Sequence, residues 1–200
     1  IRFSWQYPQH NFYAMWKYAE IFPDQAGRAY DLAKSKLHVP VPDLATTDYF
    51  AQRPFELNGY IAGYIGLLEL QEMAGKTLID SQLRTSVTNE LNRLYNLRAA
   101  TFTKDTYWIE DFYHKRALNI ARNFMMLVPE LGDYLHQTAL AKVQEAFNEY
   151  AYIAPYWFVS RYEAMMNEGA MSPLYNAPAM FQAKAYILKA SRLELTPYLD

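Results

Sequence analysis

Apolar residues along this 200-residue chain recur at helical spacing, and no stretch alternates cleanly enough to predict a strand. A first pattern covers about His10 to Phe22 and stops at Pro23-Asp24. A second continues to about Leu37, so that the two form an αα-hairpin. His38 to Pro54 carries Pro40, Pro42 and Pro54 around the polar run DLATTDYFAQR, which predicts a long loop crossing to the next unit. A long helix follows from about Phe55 to Ala74 and ends at Gly75, and Asp80 stands where it can cap another helix reaching about Ala100. The next helix is predicted from about Asp105 to Leu127. Pro129 restarts the chain, and further helices cover about Leu140 to Tyr150 and Pro155 to Gly169. Beyond the loop SPLYNAP, Ala179 to Lys189 reads as a last helix before Pro197. About eight helices in four pairs make the expected fold all-α.

The pairs resemble one another. Asn11-Phe12-Tyr13 and Asn58-Gly59-Tyr60 share N-x-Y, 47 residues apart, and Tyr60-Ile61-Ala62-Gly63-Tyr64 is echoed 92 residues later by Tyr152-Ile153-Ala154-Pro155-Tyr156. Tyr107 falls in the slot between them. The expectation is a helical-hairpin repeat of about 46 residues filling one domain over residues 1–200. Starting in mid-phrase at Ile1, the chain reads as part of a longer protein.

Composition narrows the function classes. Hydrophobic residues make up 52%, enough for a core, and the 18 tyrosines suit half-buried surfaces and clefts, because each has an apolar body and a polar tip. A net charge of −2 supplies no basic field for nucleic acid. With no cysteine, disulfides and thiolate chemistry are excluded, and no apolar run approaches the roughly 20 residues of a membrane span. Phosphate-binding glycine loops, a G-x-S-x-G elbow and H-E-x-x-H are absent, so no cofactor is expected.

Usable chemistry is densest at Thr106 to Phe124, TYWIEDFYHKRALNIARNF. On a helix, Glu110 and Asp111 stand four and three residues before His114, so either carboxylate shares a face with the imidazole. The same residues admit plainer roles: Glu110 and Asp111 complementing the helix dipole, and His114 as a satisfied interior histidine. Asp111-x-x-His114 also has the spacing of half a carboxylate-bridged di-metal site, but no other Asp or Glu precedes a His by three, so no metal is expected.

Asn11 to Leu37, NFYAMWKYAEIFPDQAGRAYDLAKSKL, resembles a hairpin of the α/α-toroid carbohydrate-active enzymes, the six-hairpin glycosidases and toroidal polysaccharide lyases. Gly59 to Val87, GYIAGYIGLLELQEMAGKTLIDSQLRTSV, fits the same scheme, with Leu70, Met73 and Gly75 in matching places. Four pairs would make an arc or part of a toroid, since a closed ring of this kind has about six. The resemblance implies that inner helices open toward one mouth, and it implies an extracellular or periplasmic location. His10, Asn11, Tyr13 and Trp16 would then face Arg53, Glu56, Asn58 and Tyr60, with Trp108, Glu110, Asp111, Tyr113 and His114 from the third pair and Tyr152, Tyr156, Trp157 and Arg161 from the fourth.

Such a mouth suits a polysaccharide or oligosaccharide, whose C–H faces stack on rings while hydroxyls need donors and acceptors. Hydrolysis needs two carboxylates about 5–10 Å apart, for which Glu110 or Asp111 opposite Glu56 is the candidate pair. Elimination from a uronate polymer would instead use Asn58, His114, Tyr113 and Arg53 to neutralise the sugar carboxylate and remove the adjacent proton. No diagnostic string selects one chemistry. The alternative to both is a non-catalytic helical scaffold, in which the aromatics are core and partner-binding surface, and Asn11 and Asn58 are helix N-caps.

Overall fold

A computed structural model of the protein describes residues 10–41, 47–105, 120, 123, 124 and 126–153, which are mostly helical with no strand among them. The helices are α1 (His10–Ile21), α2 (Ala26–Ser35), α3 (Thr47–Gln52), α4 (Pro54–Met73), α5 (Ser81–Thr101), α6 (Pro129–Thr138) and α7 (Leu140–Ile153). The all-α expectation holds for these residues, and the boundaries of α1, α2, α4 and α5 fall within two residues of the expected ones.

The fold is built around α4. Pro54 occupies its first turn, where a missing N–H costs nothing, and Glu56 complements the positive end of the helix dipole. At the other end Gly75 takes φ +65°, while its N–H reaches Glu72 O at 2.9 Å and Lys76 N–H reaches Gln71 O at 3.0 Å. This is a Schellman stop, which needs the left-handed conformation that glycine adopts without a Cβ clash. Between these ends the helix is apolar nearly all round and buried from Leu57 to Leu67, as a helix surrounded by others must be. It packs against α1, α2, α3, α5 and α6. At Gly66 the approach of α1 is so close that a Cβ would stand 2.5 Å from backbone atoms of Phe12 and Tyr13.

Around this axis Phe12, Trp16 and Ala19 of α1, Tyr30 and Ala33 of α2, Phe50 of α3, and Val87, Leu91 and Leu94 of α5 complete one core with Leu131, Leu135 and Val143. The α4–α5 turn is tied back to α2. Tyr30 OH and Lys34 Nζ donate to the two carboxylate oxygens of Asp80 at 2.7 and 2.6 Å, and Gln71 Nε2 donates to Asp80 O at 3.1 Å.

Four expectations are corrected. The crossing between α2 and α4 is not all loop, because α3 forms within it and buries Phe50. Asp80 stands at the cap position of α5, yet makes no side-chain cap bond, since its carboxylate is taken by Tyr30 and Lys34. The expected helix does not extend to Leu127, because Asn123–Phe124 form a turn and Met126 takes φ 57°. The stretch that Pro129 restarts, with no helix expected before Leu140, forms α6 with Pro129 in its first turn. The segment from 106 to 119 and the helices expected beyond Pro155 lie outside the described residues.

Candidate functional site

The first two turns of α4 gather polar and aromatic groups. Glu56 and Tyr60 are four apart, so they share a face of the helix, and α3, ending just before Arg53, sets Tyr49 beside them. Tyr49 OH donates to Glu56 Oε2 at 2.5 Å, and Arg53 Nε lies 3.7 Å from Glu56 Oε1. The Arg53 guanidinium also stacks over the Tyr49 ring, 4.4 Å from its centre. Tyr60 meets Phe50 edge-on at 6.0 Å. Burial, with the Glu56 charge and then Tyr49 adding to it, pushes the Tyr60 phenol up to about 12, so it remains a hydroxyl donor at neutral pH. Glu56 is 4% exposed, a carboxylate withdrawn from bulk water between a phenol and a guanidinium.

Two residues beyond Glu56, Asn58 points into the interior. It lies inside α4 rather than at its cap, and is fully buried. Its Oδ1 accepts from Arg98 Nε at 2.8 Å, and its Nδ2 donates to Asn123 O at 2.8 Å. Arg98 Nη2 reaches Asn123 Oδ1 and O at 2.9 and 3.1 Å, and Asn123 Nδ2 donates to Thr103 O at 2.8 Å. This network locks α4 to α5 and to the turn at 123–124. Arg98 and Asn123 were not singled out in the sequence, although a signal existed. Val87, Glu90, Leu91, Leu94 and Arg98 form the buried stripe of α5 at helical spacing, so Arg98 occupies a core position.

The α1 candidates are distributed differently. His10 is the first residue of α1. Asn11 lines a groove of about 390 Å³ between α1 and α2, together with Met15, Tyr18, Arg28 and Leu32, and so differs in environment from its sequence counterpart Asn58. Tyr13 OH donates to Glu130 Oε2 at 3.1 Å, and its ring meets Trp16 edge-on at 5.2 Å. Trp16 belongs to the core at 9% exposure, and Lys17 Nζ lies 3.4 Å from the centre of its ring.

A second polar grouping, not singled out in the sequence, forms where α1, α4, α5 and α6 meet. Burial raises the Glu69 carboxyl above its usual range, and neighbouring Glu72 and Glu130 push the same way against Arg84 and Lys17. Tyr95 and Tyr134 pack there with ring centres 4.7 Å apart, and Tyr134 OH donates to Asn96 Oδ1 at 3.0 Å. Glu130 is remote in sequence from every other member except Tyr134, and only the tertiary fold brings it in.

Trp108, Glu110, Asp111, Tyr113, His114, Tyr156 and Trp157 lie outside the described residues. Arg53, Glu56 and Tyr60 are brought together; Asn58 lies behind them; Asn11, Tyr13 and Trp16 are spent on the groove, on Glu130 and on the core. Among the described residues no three His, Cys, Asp or Glu are grouped so as to hold a metal ion, and no helix is long and apolar enough to cross a membrane. No family model, curated protein or solved structure matches the chain.

Proposed function

We propose that this chain is a carbohydrate-active domain, an arc or part of an α/α toroid built from helical hairpins, that binds a polysaccharide at the mouth formed by the start of α4. The observation that carries this reading is the Tyr49, Arg53, Glu56 and Tyr60 group, in which a withdrawn carboxylate is flanked by two phenols and a guanidinium. Rings offer faces to sugar C–H groups, Tyr60 offers a hydroxyl that stays protonated, and Arg53 offers positive charge to a uronate carboxylate. Cleavage at this mouth takes one of two forms. Glu56 acts as one of two carboxylates in hydrolysis, partnered by Glu110 or Asp111, or Arg53 neutralises the uronate while His114 or Tyr113 removes the proton in elimination. An extracellular or periplasmic location accompanies the reading.

A specific observation favours the second reading, a non-catalytic helical scaffold. Both ends of the Asn58 amide are spent on Arg98 and Asn123, as in a purely structural network. The two readings separate in a screen of the purified protein against neutral and uronate polysaccharides, following new reducing ends and the absorbance of new double bonds in parallel. Reducing ends alone indicate hydrolysis, and both signals indicate elimination. Silence in both, with no retardation on polysaccharide affinity gels, favours the scaffold, unless a longer chain restores activity.

A further inference from the structure

The outer side of the first hairpin departs from the rule for a surface helix. α1 buries Phe12, Trp16 and Ala19, so its opposite side should be polar. Instead Asn11, Ala14, Met15 and Tyr18 line the groove of about 390 Å³ that α1 shares with α2, and Ile21 and Phe22 continue that side into the turn. Tyr18, Ile21, Phe22 and Leu32 are 50%, 72%, 46% and 54% exposed, and the Tyr18 and Phe22 rings lie 4.8 Å apart. Lys17 and Glu20 of α1 stand off this stripe and pair with each other at 3.1 Å. Of the residues lining the groove, Arg28 alone is charged. A contiguous apolar surface of this kind marks a contact.

The charges of α2 select the occupant. Arg28 and Asp31 are exposed and three residues apart, yet they make no ion pair with one another. A twofold axis crossing α2 between them sets two α2 helices antiparallel and brings Arg28 of each copy beside Asp31 of the other, twice over. The same axis crosses α1 near Tyr18, so the two apolar stripes meet and each groove receives side chains of the opposite stripe. Met15, unbranched, adapts to what enters. The face is therefore complementary to itself in apolar content and in charge. A lipid surface or an unlike protein would use the stripe but not the register of Arg28 and Asp31. We infer that the α1–α2 face is a docking surface for a second copy of this chain, joined about a twofold axis with Arg28–Asp31 pairs at the rim. Helices of 12 and 10 residues are about 18 and 15 Å long and about 10–12 Å across. Side by side they offer less than the roughly 800 Å² per partner of a standard interface, so the dimer is a weak one, with a Kd of micromolar order. The face contains none of Tyr49, Arg53, Glu56 and Tyr60, and the inference is independent of whether the mouth binds polysaccharide.

Sedimentation velocity of the whole protein between about 1 and 300 μM tests the assignment. The weight-average mass should climb from 23.4 kDa toward twice that value. Leu32→Lys and, separately, Arg28→Asp should each weaken association about tenfold or more, since each change is repeated across the axis. The double variant Arg28→Asp with Asp31→Arg re-forms the pairs in reverse and should return the Kd to within about threefold of the wild type. All three positions are exposed, so the variants should keep the wild-type circular dichroism and melting temperature. A mass that stays at 23.4 kDa at every concentration would overturn the inference. Association indifferent to Leu32→Lys, or a double variant as weak as Arg28→Asp alone, would overturn it equally.

Discussion

Asn58→Ala distinguishes a structural residue from a substrate-binding one, and its cost can be worked from the contacts. The substitution removes the oxygen that receives Arg98 Nε at 2.8 Å and the amide that donates to Asn123 O at 2.8 Å. A hydrogen bond to a charged group is worth about 1.5–3 kcal/mol and a neutral one about 1 kcal/mol. Water cannot make up the loss, since Asn58, Arg98 and Asn123 are all fully buried. Alanine recovers about 0.6 kcal/mol through its higher helix propensity. The net expectation is a loss of about 2–3.5 kcal/mol, or about 4–14 °C in Tm for a chain of this size. Urea unfolding followed by far-UV circular dichroism measures it, with an unchanged m value showing that the transition itself is the same. A loss below about 1 kcal/mol would refute the view that Asn58 holds Arg98 in place.

Other substitutions probe the frame and its charges. Gly66→Ala should destabilise by about 1–3 kcal/mol in the same assay despite alanine's better helix propensity, because its Cβ would stand 2.5 Å from the Phe12 and Tyr13 backbones, which cannot swing aside like a side-chain tip. A stabilised variant would contradict the close α1–α4 crossing. Trp16→Ala should cost about 3–5 kcal/mol, as expected for a core ring, and a far smaller loss would show that Trp16 lines a cleft instead. For Glu90, burial pushes the carboxyl up, but the two Arg93 bonds at 2.7 Å and the Val41 N–H outweigh it and hold the group below its usual range. A folded value below the unfolded one means that this stabilisation is present above about pH 4.3 and is lost as pH falls through the folded value. Urea midpoints taken from pH 7 down to about 3 should therefore fall less steeply for Glu90→Gln than for the wild type, and parallel curves would dismiss the linkage.

The frame was legible where signals are local. Pro54 and Gly75 bracket α4 because one fixes φ for a first helical turn and the other takes a positive φ, and both effects act within a few residues. α3 was missed because six residues are too few to show a period, and what holds them is the burial of Phe50 against α4 and α5. Asp80 looked like a cap because cap chemistry is local, whereas its partners Tyr30 and Lys34 come from another helix. The same limit governed the site. Glu56 and Tyr60 could be paired by helical spacing, but Tyr49 joins them from a stretch that reads as a crossing loop, and Glu130 meets Tyr13 across 117 residues of sequence. The shared N-x-Y gave Asn11 and Asn58 one label, while packing left Asn11 at the surface groove and enclosed Asn58 completely.

The most direct test of the proposed function compares the wild type with Glu56→Gln on whichever polysaccharide the screen identifies, following turnover and melting temperature together. Glutamine keeps an oxygen for the Tyr49 hydroxyl while losing the acid, so the variant should melt within a few degrees of the wild type. If hydrolysis runs through Glu56, turnover should fall by about 100-fold or more. If elimination runs through Arg53, Arg53→Ala should give that loss in place of Glu56→Gln. Undiminished turnover in both folded variants would contradict placement of the chemistry at the start of α4.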